Sequence, residues 1–169
     1  MIRKDLHAGI MELAVANLIG FRTHTIVPNV YWGIGLNHEC DMLVLDAQNR
    51  FTEVEIKISK ADLKADLNKG HGHKSNIISR LVYAVPEDLI ELCKEIVPKE
   101  SGIIGVFYKE TKLSYQSDKK YGYYEARWIR NARHRVEKTP SQGTLNKFYH
   151  LGCMRIWSLK RHNNKFKPL

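Results

Sequence analysis

Cysteine is scarce in this sequence. The 169 residues include three, Cys40, Cys93 and Cys153, and no two of them are close in the chain. An odd number of isolated cysteines provides neither a disulfide framework nor a CxxC pair for a metal ion. We therefore exclude the small disulfide-rich secreted proteins and the CxxC metal domains, and we predict a cytoplasmic location.

The sequence also lacks a long uninterrupted apolar run. Its most apolar N-terminal stretch, Leu6 to Phe21, is interrupted by His7, Glu12 and Asn17, and no small-residue cleavage site follows. We predict neither a signal peptide nor a membrane span. Internal repeats and low-complexity segments are absent too, and 43% of the 169 residues are hydrophobic. These properties predict one compact domain.

Acidic residues are nearly absent from the last third of the chain. Residues 119–169 hold 13 Lys and Arg against two Asp and Glu, a charge of +11, whereas residues 1–118 hold 14 against 16, a charge of −2. A basic segment of this kind favours a polyanionic partner such as nucleic acid; the alternative is a merely soluble basic surface. We divide the domain into a core, 1–118, and a basic helical C-terminal extension, 119–169, packed on it.

Hydrophobic periodicity predicts an α/β fold with a mixed sheet flanked by helices. The expected order is helix, strand, strand, strand, helix, strand, helix, strand. After residue 112 the pattern is weaker. There it predicts a strand over 112–117, a helix over 124–138 with Ala126, Ile129, Ala132 and Val136 inward, a helix over 141–158 and a frayed tail from residue 161.

The segment FTEVEIKISK, residues 51–60, has the alternation of a strand. One face carries Val54, Ile56 and Ile58 and belongs to the core. The other carries Glu53, Glu55 and Lys57. Such a charged face can simply be solvated in an antiparallel sheet. A functional site is the competing interpretation.

Asp41 precedes this segment in a predicted hairpin. The polar turn at residues 47–49 joins the two strands, so Asp41, Glu55 and Lys57 can meet at one end of the sheet. Two carboxylates supply the hard oxygen ligands that Mg²⁺ or Mn²⁺ prefer. A nearby lysine can position a water molecule and offset charge on a phosphate.

The first helix contributes one further acid. Glu12 is the single acidic residue on a helix that is otherwise apolar nearly all round. A buried carboxylate needs a cation or a metal as its partner, because an unpaired buried charge is costly. The alternative places Glu12 at a solvent-facing rim.

Asp41, a gap of 13 residues and then Glu55-Ile56-Lys57, on a hairpin that follows an acid-bearing helix, resemble the PD-(D/E)xK nuclease superfamily. The proline of the nominal motif is absent, since Glu39 and Cys40 precede Asp41. Residues 39–107 are similar to small phage or prophage nuclease-like proteins and to the MmcB-like DNA repair group, through the E-x-K strand, the Ser/Lys/Asp helix and the strand that ends in AVP.

The resemblance implies a restriction-endonuclease-like fold and a Mg²⁺- or Mn²⁺-dependent deoxyribonuclease that leaves a 5′ phosphate. It implies that Asp41, Glu55 and the Ile56 carbonyl bind the metal, that Lys57 orients the attacking water, and that Glu12 is an accessory acid. Glu53 would be an alternative or second-metal ligand, or only a surface charge of the strand. Many relatives act as homodimers.

Several further residues are candidates for contact with DNA. The resemblance places Lys60, Lys69 and Lys74 beside the scissile strand, with a solvated helix face as the alternative. In the predicted C-terminal helix Arg127, Arg130 and His134 would form a basic stripe, accompanied by Arg133. Tyr121, Tyr123, Tyr124 and Trp128 would stack on bases or belong to the core. His71 and His73 favour a solvated or phosphate-contacting loop over a metal site.

Two other classes of function compete with the nuclease. One is a DNA-binding repair or phage accessory protein whose nuclease-like core does not cut. The other is a basic interaction protein without a metal, in which the acids form a solvated sheet face. The latter must treat the order of Glu12, Asp41, Glu55 and Lys57 as a coincidence.

Overall fold

The computed structural model describes residues 6–31, 33–68, 73, 75–112, 120–135 and 139–163. Its centre is a six-stranded mixed sheet in which the strands follow one another in chain order. The elements are α1 (Ala8–Ile19), β1 (Thr25–Val30), β2 (Cys40–Leu45), β3 (Phe51–Ile56), α2 (Lys60–Leu67), β4 (Ile78–Pro86), a 3₁₀ turn (Glu87–Leu89), α3 (Ile90–Ile96), β5 (Gly102–Lys112), β6 (Lys120–Arg130) and α4 (Gln142–Asn163).

The predicted hairpin is formed by β2 and β3. Their register pairs Met42 with Val54 and Leu45 with Phe51. The turn is fixed by Asp46, whose Oδ1 accepts hydrogen bonds from the backbone nitrogens of Gln48 and Arg50, both at 2.9 Å. Because this turn sets the register, it also decides which side chains of β2 lie beside β3.

The middle of the sheet is parallel. β3 pairs with β4 and β4 with β5 in parallel, through crossovers that contain α2 and α3, while β1 pairs with β2 and β5 with β6 antiparallel. The carboxyl end of β3 therefore lies between β2 and β4. A side chain just beyond that end can contact residues of β2, β3 and β4.

The core lies on both faces of the sheet. On one face Met11 and Val15 of α1 pack against Val54 and Ile56 of β3. On the other face α4 packs Phe148 against Phe51, with ring centroids 4.9 Å apart, and α2 and α3 cover the remainder with residues that include Leu63 and Cys93. Both faces of β3 are thus buried, and the charged face is not solvated.

The helix predicted over residues 124–138 is wrong. Residues 120–130 form β6, which pairs with β5 from Ile103↔Arg130 to Lys112↔Lys120. The segment is rich in Tyr, Trp and Ile, which favour strands, and a partner that is distant in sequence outweighs the helical spacing of Ala126 and Ile129. Since β6 completes the core sheet, residues 119–169 do not form a purely helical extension.

Other predictions for the C-terminal third have mixed outcomes. The last predicted helix is confirmed and is longer than expected, since α4 spans Gln142–Asn163. Of the strand predicted over 112–117, Lys112 ends β5 and the rest lies outside the described residues. The frayed tail predicted from residue 161 is wrong for residues 161–163, which are the last turn of α4, and residues 164–169 lie outside the described residues. In the part of the chain that the structure describes, no helix is both long enough and apolar enough to cross a membrane.

Candidate metal centre

Asp41, Glu55 and Lys57 lie together at the end of the hairpin, as the sequence predicts. Lys57 Nζ is 2.6 Å from Glu55 Oε2 and 3.5 Å from Asp41 Oδ2. Glu55 and Lys57 are buried, whereas the Asp41 side chain is 36% exposed. The centre is therefore enclosed by protein on the Glu55 side and open toward solvent at Asp41.

Backbone hydrogen bonds hold the three residues in place. Asp41 Oδ2 accepts a hydrogen bond from the backbone nitrogen of Ile56 at 2.7 Å, which ties β2 to the end of β3. The backbone nitrogen of Lys57 donates to Ala84 O at 3.0 Å, which continues the pairing of β3 with β4. The position of Lys57 is thus set by the sheet and not by its side chain alone.

A third carboxylate, which the sequence analysis did not identify, completes this centre. Asp66 Oδ1 lies 3.0 Å from Lys57 Nζ. Asp66 and Leu63 are the buried residues of α2, and Ser59 caps that helix by accepting a hydrogen bond from the Asp62 nitrogen. In the sequence, Asp66 follows Leu63 by three positions, and this spacing places both side chains on the inner face of the helix.

Glu53 is fully buried, so its interpretation as a surface charge is wrong. Its Oε1 lies 2.6 Å from Nε2 of His38 and 2.8 Å from Nδ1 of His73. His73 is buried as well, and its Nε2 lies 2.8 Å from Asp66 Oδ2. The prediction that His73 lies in a solvated loop is therefore also wrong. His71 lies outside the described residues.

Two carboxylate oxygens of β3 are buried but accept no hydrogen bond from the residues that the structure describes. Glu53 Oε2 and Glu55 Oε1 have no hydrogen-bond partner among the described residues. Burial of a polar atom without a partner costs free energy, and each such atom in a folded protein calls for an explanation. A bound cation is one explanation that fits carboxylate oxygens.

The pKa values follow from burial and from the surplus of acids. Burial, together with the charge of Asp41, raises the pKa of Glu55 to about 8. Burial opposes the charge of Lys57, yet the acids around it raise the pKa of its ammonium group. Hydrogen bonds to Asp66 and Glu53 likewise overcome burial and raise the pKa of His73 to about 9. Burial is thus the main cause of the raised pKa of Glu55, whereas the surrounding acids cause that of Lys57.

Glu12 belongs to the surroundings of this centre. It is half-buried on α1, and its pKa is raised by burial and by the negative charge of Asp41. The interaction with Asp41 agrees with a place beside the centre. A contact of Glu12 with a metal remains a prediction.

Two groups of buried side chains could hold a metal ion. One consists of His38, Glu53 and His73, and the other of Glu55, Asp66 and His73, with ligand atoms within 4.8 Å of one another in each. A site for a metal ion is therefore compatible with the structure.

Comparison with known proteins identifies the fold but not the activity. No family model and no curated protein matches the chain. A solved structure, the SPO1766 protein of unknown function from Silicibacter pomeroyi, is similar over 95% of this chain and 96% of its own, with a TM-score of 0.65 and 21% identity. The α/β class with a mixed sheet flanked by helices is confirmed.

The basic stripe predicted on a C-terminal helix does not exist, because that segment is β6. Arg127 donates to both carboxylate oxygens of Glu125, while Arg130 donates to the backbone oxygens of Pro98 and Ser101. His134 contacts Ser79. These side chains contact different parts of the protein and do not form one row.

The other candidates for DNA contact have varied positions. Lys60 is exposed at the start of α2, and Arg133 is exposed just beyond β6. Lys69 and Lys74 lie outside the described residues. Among the aromatic residues, Tyr121, Tyr123 and Trp128 are exposed, so they are not core residues, while Tyr124 packs against Tyr108. Base stacking by the exposed three remains a prediction.

Proposed function

We propose that the protein is a Mg²⁺-dependent deoxyribonuclease that hydrolyses phosphodiester bonds, with Asp41, Glu55 and Lys57 as its centre. The observation that carries this proposal is the position of Lys57 Nζ within 3.5 Å of three carboxylates, together with the unsatisfied buried oxygen of Glu55. The resemblance to PD-(D/E)xK nucleases supports the same assignment.

The donor set fits a hard divalent cation. Asp41, Glu55 and Asp66 surround the ammonium group of Lys57, and His73 is a second partner of Asp66, so the three acids outnumber the two basic side chains that contact them. Carboxylate oxygens are the ligands that Mg²⁺ and Mn²⁺ prefer. Asp41 and Glu55 would hold the ion, with the Ile56 carbonyl as a further ligand by resemblance. Glu53 is committed to two histidines and is less suited to this ion.

The surroundings of Lys57 suit the chemistry of a phosphodiester. The bound metal would supply a more acidic water and charge stabilisation for the phosphate oxygens. Lys57 stays protonated among its acids, so its ammonium group can hold a water molecule in line or offset charge on the phosphate. Because Asp41 is the most exposed of the three acids, the substrate would approach from its side.

DNA is the proposed substrate because of the charge of the chain. The formal charge is +9, and the basic residues concentrate in residues 119–169. Phosphate contacts by Lys and Arg supply most of the non-specific affinity for nucleic acid. Lys60, Arg127 and Arg133 are the exposed basic candidates among the described residues.

Cleavage of end-labelled DNA tests the proposal. Duplex, single-stranded and branched substrates would be incubated with Mg²⁺ or Mn²⁺ and with wild type, Asp41→Asn and Lys57→Ala. We expect metal-dependent cutting by wild type and a loss of roughly 100-fold or more in each variant. Lys94→Ala is the matched control, because Lys94 is an exposed lysine that pairs with Glu91 on α3. Undiminished cutting by Asp41→Asn would refute the assignment.

A DNA-binding accessory protein that does not cut is the second candidate. The basic charge of residues 119–169 is independent of the Asp41–Glu55–Lys57 centre, so DNA binding does not require catalysis. Binding without cleavage of any substrate by wild type would favour this candidate.

A further inference from the structure

A second set of side chains lies next to this centre and has a different chemistry. His38 belongs to the loop before β2, Cys40 begins β2, Glu53 is in β3, and His73 lies between α2 and β4. All four are buried. The set combines two imidazoles, a thiol and a carboxylate, whereas the proposed Mg²⁺ centre offers oxygen donors.

The donor atoms of His38, Glu53 and His73 lie within 4.8 Å of one another, and the fourth donor, Cys40 Sγ, contacts His38. Glu53 Oε1 is 2.6 Å from His38 Nε2 and 2.8 Å from His73 Nδ1, and Cys40 Sγ is 3.8 Å from His38 Nε2. A tetrahedral zinc ion, with bonds of about 2.0–2.3 Å, separates its ligand atoms by roughly 3.3–3.6 Å. The contacts of Glu53 with the two histidines and of Cys40 with His38 therefore differ from ligand spacing by less than about 1 Å each.

We propose that His38, Cys40, Glu53 and His73 form a closed four-ligand site for a transition-metal ion of the zinc class. Imidazole and thiolate ligands select Zn²⁺ over Mg²⁺, which requires oxygen donors. Four protein ligands without exposure to solvent are typical of structural zinc sites. The site uses none of Asp41, Glu55 and Lys57, the residues of the proposed nuclease centre.

The outer nitrogen of each histidine supports this assignment. Ligating histidines usually direct their second ring nitrogen to a carboxylate or a carbonyl oxygen. His38 presents Nε2 to the cluster and places Nδ1 2.8 Å from Asn37 Oδ1. His73 presents Nδ1 and places Nε2 2.8 Å from Asp66 Oδ2. Both rings are thus oriented as ligands by an outside acceptor.

The unsatisfied atom of Glu53 also supports the site. Its Oε2 has no hydrogen-bond partner among the residues that the structure describes, although the side chain is fully buried. An ion at this position would replace the protons that lie between Glu53 and the two imidazoles and the proton of the Cys40 thiol. These protons would be released to solvent, as in other metal sites of this kind.

Binding of this ion would stabilise the fold around the proposed catalytic centre. It would connect two loops, which carry His38 and His73, to β2 and β3. His73 also contacts Asp66, and Asp66 contacts Lys57. His73 is therefore a positioning residue for Lys57, through Asp66, and not a catalytic residue.

A cobalt titration of the chelator-treated full chain tests the proposal, because Co²⁺ reports on zinc sites by absorption. We expect one equivalent of Co²⁺ to bind, with visible bands of a tetrahedral ion and a near-ultraviolet thiolate-to-cobalt band, and we expect Zn²⁺ but not Mg²⁺ to displace it. Failure of wild type to develop these bands would overturn the proposal, and this measurement needs no variant.

Variants identify the ligands. Cys40→Ser should remove the near-ultraviolet band, and His38→Gln should weaken binding by about 10-fold or more, each with an unchanged circular dichroism spectrum. Cys153→Ser and His150→Gln are matched controls, because both residues are exposed on α4. Binding that survives Cys40→Ser with the band intact, or that is equal in His38→Gln, would overturn the four-ligand site. Asp41→Asn should retain the bands, so this test and the cleavage test can fail separately.

Discussion

Asp66 Oδ1 lies 3.0 Å from Lys57 Nζ, and both side chains are almost completely buried. The contact joins α2 to the end of β3. It means that the lysine of the E-x-K segment is held by an acid that follows it by nine positions, in addition to Glu55 and Asp41. The geometry of Lys57 is therefore a property of the sheet and of α2 together.

Removal of the Lys57 charge should destabilise the protein. In Lys57→Met the buried acids lose their cation, and a buried charge left without its partner typically costs about 3–5 kcal/mol. Urea denaturation of the metal-free protein would measure the free energy of unfolding. Lys94→Met, at an exposed ion pair on α3, should change it by less than about 1 kcal/mol. Equal stability of the two variants would contradict the buried network.

The stability of the metal-free protein should fall as the pH rises from about 6 to about 9. The pKa of His73 is raised to about 9, so the stability that its charge provides is fully present below its ordinary pKa and is lost as pH rises through the raised value. The pKa of Glu55 is raised to about 8, so the folded state also keeps a proton there that the unfolded state has released. Both effects have the same sign.

Glu53 affects the stability of the folded state at acidic pH. Hydrogen bonds from His38 and His73 overcome the effect of burial and lower its pKa to about 2, so its contribution is lost only as pH falls below the ordinary range of a carboxyl. Thermal unfolding in chelator across pH 2–10 would measure both limbs. A rise in stability between pH 6 and pH 9 would contradict this arrangement of charges.

The three cysteines should differ in reactivity. Cys153 is exposed on α4, whereas Cys40 and Cys93 are buried, and burial raises the pKa of the Cys93 thiol to about 12. Since the thiolate is the reactive form, iodoacetamide at pH 8 should label Cys153 first by a wide margin. Peptide mass spectrometry would measure labelling, with urea-unfolded protein as the control in which all three react. Rapid labelling of Cys93 in native protein would show that α3 is not packed as described.

The packing of α4 can be tested at two neighbouring residues. Phe148 is fully buried against Phe51, whereas Tyr149 is 42% exposed. Phe148→Ala should lower the free energy of unfolding by about 3–5 kcal/mol through the loss of buried surface and the cavity that remains. Tyr149→Ala should have a much smaller effect. Similar effects of both substitutions in chemical denaturation would argue against docking of α4 on the sheet.

Local patterns predicted α1, the hairpin and the meeting of Asp41, Glu55 and Lys57, because alternation within β3 and one short turn decide that geometry. They failed at β6. Its sequence has both helical spacing and β-favouring aromatic residues, and pairing with β5 decides the outcome.

The group formed by His38, Glu53 and His73 could not be predicted from local sequence patterns. His38 and His73 are 35 positions apart and meet at Glu53 only because the hairpin and the parallel crossover bring their loops to one edge. No spacing rule connects residues on separate loops. Asp66 is intermediate, since its place on the inner face of α2 follows from Leu63, but its contact with Lys57 needs the packed fold.

The most direct test of the nuclease proposal compares Glu55→Gln with Glu91→Gln in a single-turnover assay of DNA cleavage with Mg²⁺. Glu55 is buried beside Lys57, whereas Glu91 is exposed on α3. The account predicts that Glu55→Gln remains folded, binds DNA and loses cleavage by roughly 100-fold or more, while Glu91→Gln cuts like wild type. Equal cleavage by the two variants would contradict it.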